Sequence, residues 1–422
     1  MVDFLEVRVM LFFFKINNRL RSGIGSRASK FLIDIWLKLT NRQYRLLVRA
    51  RRDRDIDKSL GTLNKLRFSY PNSRFWARHL SVIAADLGLI DLAQDLGRDY
   101  FKSAISADLG VLLDDTRRFL APVLGDVSVE YSYRGGNENI GCLICRSRNG
   151  AVLSFGKVIE LKRETLREVY FYQTILEEFP HLKAVVPKCF GIYERASDNV
   201  AIIFMDALVP LGLEKKRIGM PVMEINSLIE SVSYADTKRI FSGISVDNSK
   251  PFARIFHLRY GCKYALSEIR LGFPKFVTGE VQQLLHSLEQ IFLHSGIHDY
   301  VNMDKHYSLC HNDFHWRNLY YHDGECTIFD WGTYSYGMRG WDMAIYFSDG
   351  EFSFEEISRM YIDSKFDLSE REDQIILLFF CFSLILILSR RHRRNCEPLV
   401  ALFFLPALDV IQDMHERLTG EE

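Results

Sequence analysis

The sequence feature that most constrains this chain is a polar stretch with the spacing H-x-D-x(4)-N. The spacing is formed by His311, Asp313 and Asn318. A short apolar run then ends at a second carboxylate, Asp330. A loop, a strand, a turn at Asp323-Gly324 and another strand would bring these oxygen-bearing side chains together. The stretch therefore predicts a compact site built from two carboxylates and a carboxamide.

Such a set of side chains has the chemistry that phosphoryl transfer requires. One carboxylate accepts or orients the proton of the attacking hydroxyl, while a carboxamide and a second carboxylate hold Mg²⁺. Magnesium prefers hard oxygen ligands, which explains Asp and Asn in this pattern rather than Cys or His. The pattern therefore favours a kinase-type reaction.

The same stretch resembles the catalytic segment of the aminoglycoside phosphotransferase and choline kinase superfamily, which has a protein-kinase-like fold. The resemblance implies that Asp313 is the catalytic base and that Asn318 and Asp330 bind Mg²⁺, with ATP as the phosphate donor. It also implies supporting roles in the catalytic loop for His311, His315 and Asp342. Trp316-Arg317 depart from the family pattern, since many members carry Pro-Gly there.

A strand-like region begins near residue 127, with a turn at Gly135 and Gly136. The region resembles the family's small lobe, where backbone amides of such a turn cover the nucleotide phosphates. The resemblance also implies that Lys157, on the third strand, contacts the phosphates and pairs with Glu168. Lys162 is the alternative, because the strand register is uncertain by a residue or two.

An apolar strand over 200–205 ends in a short polar linker. This pattern resembles the hinge between kinase lobes, where backbone groups near Met205 and Leu208 would hydrogen-bond the adenine ring. The predicted fold is thus α+β, with a small antiparallel β lobe and a large helical lobe. The predicted domains are a basic helical segment (1–54), a helical module that resembles tetratricopeptide repeats (55–120), an N-lobe (121–210) and a C-lobe (211–422).

The N-terminal segment is strongly basic, although the whole chain carries no formal net charge. Residues 1–54 hold 13 Lys or Arg and four acidic residues, a net charge of +9. A helix from about Ser29 to Arg49 would place Phe31, Ile35, Leu39 and Leu46 on one face. That face could lie on an anionic membrane or pack on the next domain, and packing is favoured. No nucleic-acid motif accompanies the charge, so no nucleic-acid partner is expected.

The remaining features fit a cytoplasmic enzyme, with the inner membrane face as the place of any peripheral contact. The eight cysteines lack the dense spacing of a disulfide scaffold, and Cys142 and Cys145 are expected to be buried thiols. The apolar run 375–388 is shorter than the ~20 residues of a membrane span, which favours a buried helix.

The sequence therefore predicts an ATP- and Mg²⁺-dependent phosphotransferase with an alcohol group as acceptor. Amino sugars, sugars, choline-like compounds and glycans all remain open as the small-molecule acceptor. One rival is a catalytically inactive kinase-like protein whose helical module recruits a protein partner. A protein kinase is disfavoured, because the G-x-G-x-x-G loop and D-F-G are absent.

Overall fold

A computed structural model describes most of the chain. The described residues are 43–44, 46–48, 55–69, 74–104, 109–132, 139–161, 166–195, 197, 199–207, 219–243, 258–273, 279–322, 325–350, 352–392 and 396–420. They divide into two compact units. The first comprises 1–165, 189–207 and 247–250, and the second comprises 166–188, 208–246 and 251–422.

Four helices open the described part of the first unit: α1 (Ile56–Ser69), α2 (Arg74–Asp86), α3 (Ile90–Ala104) and α4 (Leu109–Leu124). Leu63, Leu66 and Leu80 are fully buried in a cluster that α1, α2 and α3 share. This hydrophobic stripe is the source of helix stability here, since most helices in proteins are held by packing of an apolar face. The tetratricopeptide-like character of this module stays a prediction, as do the domain boundaries.

Helical residues at 43–44 and 46–48 precede this module and pack against it. Tyr44 and Leu47 are buried in its core, whereas Leu46 is 44% exposed. Leu46, which was predicted on the apolar face, does not pack on the module, whereas Tyr44 and Leu47 do. The rest of the basic segment lies outside the described residues, and its contact with membranes stays a prediction.

A five-stranded antiparallel sheet completes the first unit, in the order β1-β2-β3-β5-β4. Its strands are β1 (Ser128–Ser132), β2 (Asn139–Arg146), β3 (Val152–Glu160), β4 (Cys189–Arg195) and β5 (Val200–Asp206). The sequence predicted β1, β2, β3 and β5, but it did not predict β4. The side chains of β4 are nearly all half-buried. A strand without alternating burial does not need the alternation of apolar and polar residues that marks a strand in a sequence.

The helical module and the sheet share one hydrophobic core. Leu112 and Leu120 of α4 are fully buried against Leu143, Ile202 and Phe204 of the sheet. α4 continues past residue 121, where the N-lobe was predicted to begin, and Pro122 lies inside its last turn. Shared burial of this kind stabilises α4, because the sheet covers its apolar face.

The second unit is mostly helical. Its first helix, α5, begins as Leu166–Tyr170 and continues through the π-helical turn Phe171–Ile175 into Leu176–Glu178. The other main helices are α6 (Met220–Glu230), α7 (Tyr234–Gly243), α8 (Arg259–Arg270), α9 (Gly279–Glu289), α10 (Met303–His306), α11 (Trp341–Gly350), α12 (Phe354–Ile357), α13 (Arg371–Arg391) and α14 (Leu405–Thr419). A 3₁₀ turn at Trp316–Asn318 and another at Trp331–Thr333 flank the predicted site.

Two antiparallel strand pairs frame these turns. β6 (Tyr307–Cys310) pairs with β9 (Ser335–Met338), and β7 (Leu319–His322) pairs with β8 (Glu325–Ile328). Together with the first unit's small sheet and the second unit's helices, they confirm the predicted α+β class.

The apolar run over 375–388 lies in α13, as a buried helix of the second unit. Two helical stretches in the described residues, Arg371–Arg391 and Glu397–Thr419, have the length and composition of a membrane span. In the first, 83% of the apolar window is buried inside the protein. A core helix explains that burial, because its partners are other side chains of the same unit.

Candidate active site

The hairpin of β7 and β8 brings Asn318 and Asp330 to one end of the second unit's site. Leu319 is opposite Ile328 in the register, and the Phe329 amide donates to the Asn318 carbonyl at 2.9 Å. Asn318 therefore lies beside the residue that precedes Asp330. The predicted turn residues at 323–324 lie outside the described part of the chain, but the flanking strands pair as expected.

Asp313 and Asn318 are joined directly. The Asn318 side-chain amide donates to the Asp313 carbonyl at 2.9 Å and to its carboxylate at 3.2 Å. Burial raises the pKa of the Asp313 carboxyl, but His315, His311 and Asn318 outweigh this and lower it overall. Asp313 is therefore ionised at neutral pH, as an acceptor of a hydroxyl proton must be.

His311 lies beneath this loop and is fully buried. Its Nδ1 accepts from the Asp313 amide at 3.3 Å, and its Nε2 lies 3.0 Å from the Phe329 carbonyl. Only the neutral imidazole with its proton on Nε2 satisfies both contacts. Burial lowers the pKa of His311 to about 4, in agreement with that protonation state. His311 therefore links the Asp313 amide to the backbone next to Asp330.

Asp342, at the start of α11, holds the other side of the loop. Its two carboxylate oxygens accept from the amides of His311 and Asn312, at 2.6 and 2.8 Å. Burial raises the pKa of Asp342 to about 7 despite these two hydrogen bonds. The supporting roles expected for His311 and Asp342 thus correspond to direct contacts with the catalytic loop.

Further loop contacts involve residues that the sequence did not single out as site residues. Asn312 has a left-handed φ of 65°, and its side-chain amide donates to Ser335 Oγ at 2.8 Å and to the Thr333 carbonyl at 3.2 Å. Thr333 in turn donates its hydroxyl to the His311 carbonyl at 3.0 Å. These bonds tie the loop to the turn after Asp330.

His315 lies close to the proposed base. Its Nε2 is 3.6 Å from the Asp313 carboxylate, beyond ordinary hydrogen-bond distance but within reach of electrostatic attraction. Its Nδ1 is buried and has no hydrogen-bond partner among the described residues. His315 therefore lies beside the Asp313 carboxylate without a hydrogen bond of ordinary length to it.

The donor set suits Mg²⁺. Since its amide nitrogen is bonded to Asp313, Asn318 has its side-chain oxygen available for a metal ion, and Asp330 would add a carboxylate. Asp330 has a left-handed φ of 68°, which Asp tolerates better than most residues. Within the described ranges, no three His, Cys, Asp or Glu side chains form a metal cage. A sparse oxygen set is what Mg²⁺ uses when waters and phosphates complete its shell.

The predicted nucleotide-binding residues fall in both units. Lys157 is buried on β3, opposite Cys142 on one neighbouring strand and Ile203 on the other. Glu168 is buried on α5 of the second unit. Met205 is buried near the end of β5, and its carbonyl accepts from Ser154 Oγ at 2.7 Å. Gly135, Gly136, Leu208 and the alternative Lys162 lie outside the described residues.

Aromatic side chains near the loop could have formed an acceptor pocket or part of the core. Trp331 and Tyr334 are fully buried, and Trp341 is 6% exposed. They are therefore core residues of the second unit. Tyr336 is half-buried.

Comparisons with known proteins agree with this chemistry. Residues 261–372 match the profile of the phosphotransferase enzyme family. This segment contains the whole catalytic loop and Asp330, and the match confirms the resemblance that the motif indicated. No curated protein matches the chain.

Several solved structures are similar at low identity. A choline kinase from Cryptosporidium parvum Iowa II is 13% identical, with a TM-score of 0.40, and covers 74% of this chain and 97% of its own. The choline kinase LicA from Streptococcus pneumoniae is also 13% identical, with a TM-score of 0.37, covering 74% and 99%. A thermostable mutant of aminoglycoside phosphotransferase APH(4)-Ia is 13% identical, with a TM-score of 0.37, covering 72% and 99%. These scores are too low to transfer a substrate.

Proposed function

We propose that this chain is an ATP- and Mg²⁺-dependent kinase that transfers the γ-phosphate to a hydroxyl of a small-molecule acceptor. The observation that carries the proposal is the bond between Asn318 and Asp313, next to Asp330. It combines a proton acceptor and two oxygen ligands in one loop and hairpin. The family match over this segment supports the same reaction class.

Asp313 would orient the acceptor hydroxyl and take its proton as the oxygen attacks the phosphorus. Its carboxylate has a lowered pKa, so it is ionised before the acceptor binds. A base of low proton affinity acts mainly by orientation, which is the major part of catalysis in phosphoryl transfer. The Asn318 amide fixes the carboxylate through the 3.2 Å bond.

Asn318 and Asp330 would hold Mg²⁺, which neutralises the charge on the phosphate oxygens when it is bound. Lys157 and Glu168 would contribute to nucleotide binding from β3 and α5. Both side chains are buried, and an ionisable side chain is seldom buried without a partner.

An inactive binding protein is the alternative. The loop argues against it, because Asp313, Asn318 and Asp330 are all present and His311, Asn312 and Asp342 hold the loop through hydrogen bonds. The enzyme interpretation therefore accounts for more of the site.

The direct test is ADP release in the presence of Mg²⁺-ATP and a panel of amino sugars, sugars, choline, ethanolamine and glycans. We expect at least one acceptor to raise ADP release above the rate without acceptor. The matched control is Asp313→Asn, which retains shape and lacks the basic carboxylate. If the parent binds no Mg²⁺-nucleotide and phosphorylates no acceptor of the panel, the binding-protein alternative is favoured.

A further inference from the structure

Arg167 is a charged side chain that the proposed mechanism does not use, yet it is only 5% exposed. Burial of a guanidinium is costly unless its surroundings compensate. Its Nη1 donates to the Tyr334 carbonyl at 3.1 Å, and its guanidinium lies 5.6 Å from the ring centre of Phe241 and 6.0 Å from that of Tyr334. These are cation–π distances. Arg167 therefore fixes α5 to the segment that follows Asp330.

A second contact joins the same two segments. Phe171, one helical turn after Arg167, stacks on Trp331 with ring centres 3.9 Å apart and planes 11° apart. Both rings are fully buried. Residues four apart lie on one helix face, so Arg167 and Phe171 contact the Asp330 turn together.

Trp331 extends this contact to the catalytic loop. Its ring meets His311 edge-on at 4.7 Å, and its Nε1 donates to the Ile328 carbonyl at 3.2 Å. Trp331 directly follows Asp330 in the chain. A displacement of Phe171 would therefore reach both the Asp330 turn and His311.

We propose that Arg167, Phe171, Trp331 and Tyr334 form a clamp that couples the position of α5 to the Asp330 turn. α5 carries Glu168, so the clamp fixes the position of Glu168 relative to Asp330, the predicted metal ligand. Arg167 and Phe171 are thus positioning residues, and this role rests on the proposed function. We therefore expect that weakening the stack of Phe171 on Trp331 lowers both the Mg²⁺-dependent affinity for nucleotide and the melting temperature.

The second unit offers a matched control for the stack. Phe292 stacks on Phe382 at 3.8 Å with planes 14° apart, and both rings are fully buried. Phe292→Leu and Phe171→Leu each remove one buried stack, so both should lower the melting temperature. Only Phe171→Leu should affect the Asp330 turn.

The test measures binding of the ATP analogue AMP-PNP by calorimetry, with and without Mg²⁺, in the full chain. We expect Phe171→Leu to reduce the gain in affinity from Mg²⁺ roughly three- to tenfold, the size expected for one aromatic pair. Phe292→Leu should retain the parent's gain. Arg167→Lys, which keeps the charge but loses the planar donor, should show a smaller loss than Phe171→Leu.

Hydrogen exchange without nucleotide provides a second readout, for variants that bind weakly. Phe171→Leu should increase the rate of amide hydrogen exchange over residues 329–335, whereas Phe292→Leu should leave that rate unchanged. Equal effects of the two variants on the Mg²⁺-dependent affinity or on this exchange would overturn the clamp while leaving the proposed function intact. A parent chain that binds no AMP-PNP would instead reject the proposed function, and the role of the clamp with it.

Discussion

The side-chain amide of Asn318 donates to both the main-chain carbonyl and the carboxylate of Asp313, at 2.9 and 3.2 Å. The bond connects the predicted base to a predicted metal ligand five residues later. Their relative position is thus determined within the loop itself. Because the 2.9 Å bond goes to the main-chain carbonyl, replacing the Asp313 side chain should leave Asn318 held and should affect proton transfer more than metal binding.

Asp330→Asn should weaken Mg²⁺-dependent nucleotide binding without unfolding the protein. Asn tolerates the left-handed backbone that Asp330 adopts, at φ 68°, so the main change is loss of a charge. We expect at least about a tenfold loss of affinity for Mg²⁺-AMP-PNP, since even indirect partners of metal sites are worth that much. The measurement is calorimetry, with the exposed Asp304→Asn as control. Unchanged affinity would rule out Asp330 as a ligand.

Lys157→Ala should raise the KM for ATP and lower kcat, because a phosphate contact and the pairing with Glu168 would both be lost. Lys157 is buried on β3, so circular dichroism must first show that the variant is folded. Steady-state kinetics with Lys162→Ala in parallel tests the strand register. If Lys162→Ala is defective and Lys157→Ala matches the parent, the assignment of Lys157 is wrong.

Acid should destabilise the protein through His311. Burial lowers its folded-state pKa to about 4, against about 6.5 in the unfolded chain. Between these values the unfolded state binds more protons, so the stability contributed by neutral His311 is present above pH ~6.5 and is lost as pH falls towards 4. The difference amounts to at most roughly 3 kcal/mol.

Urea unfolding at several pH values checks this effect. His311→Gln retains an amide donor for the Phe329 carbonyl and cannot titrate in this range. We expect its unfolding free energy to fall less than the parent's between pH 6.5 and 4. Parallel curves for the two proteins would show that His311 does not contribute to the acid sensitivity.

Gly156→Ala should destabilise the sheet beside Lys157. A Cβ at Gly156 would lie 2.6 Å from Phe204 Cε1 and 2.8 Å from Ile202 Cγ2. Crowding of this kind in a packed core costs about 1–3 kcal/mol. The control is Gly61→Ala in α1, where no atom lies within 4 Å of the new Cβ. That change should stabilise the helix by up to about 1 kcal/mol, as urea unfolding would show. Equal effects of the two changes would contradict the crowding at Gly156.

The sequence predicted the parts of the site that are close together in the chain. Asp313, Asn318 and Asp330 lie within one loop and one hairpin, so a motif and a two-residue turn were sufficient to bring them together. The contact of Arg167 with Tyr334 spans 167 residues. Such a contact depends on packing of the whole unit, which no local pattern encodes.

Other differences have equally local causes. β4 lacks alternating burial, so periodicity could not distinguish it from a loop. In the N-terminal segment, Leu46 fits the helical period, yet Tyr44 and Leu47 are the side chains that fill the core of the helical module. Periodicity alone does not show which apolar side chains of this segment are buried, because that depends on the surface against which the segment packs.

The most direct test of the central claim is Asp313→Ala, studied by calorimetry and by kinetics with an acceptor found in the panel. Removal of a positioned base should cost on the order of 10²- to 10⁴-fold in turnover, or roughly 3–5 kcal/mol of barrier. Binding of Mg²⁺-ATP should persist, because the proposed metal ligands, the side-chain oxygens of Asn318 and Asp330, are unchanged. Full phosphotransfer activity in Asp313→Ala, with Mg²⁺-ATP binding unchanged, would contradict the assignment of Asp313 as the base.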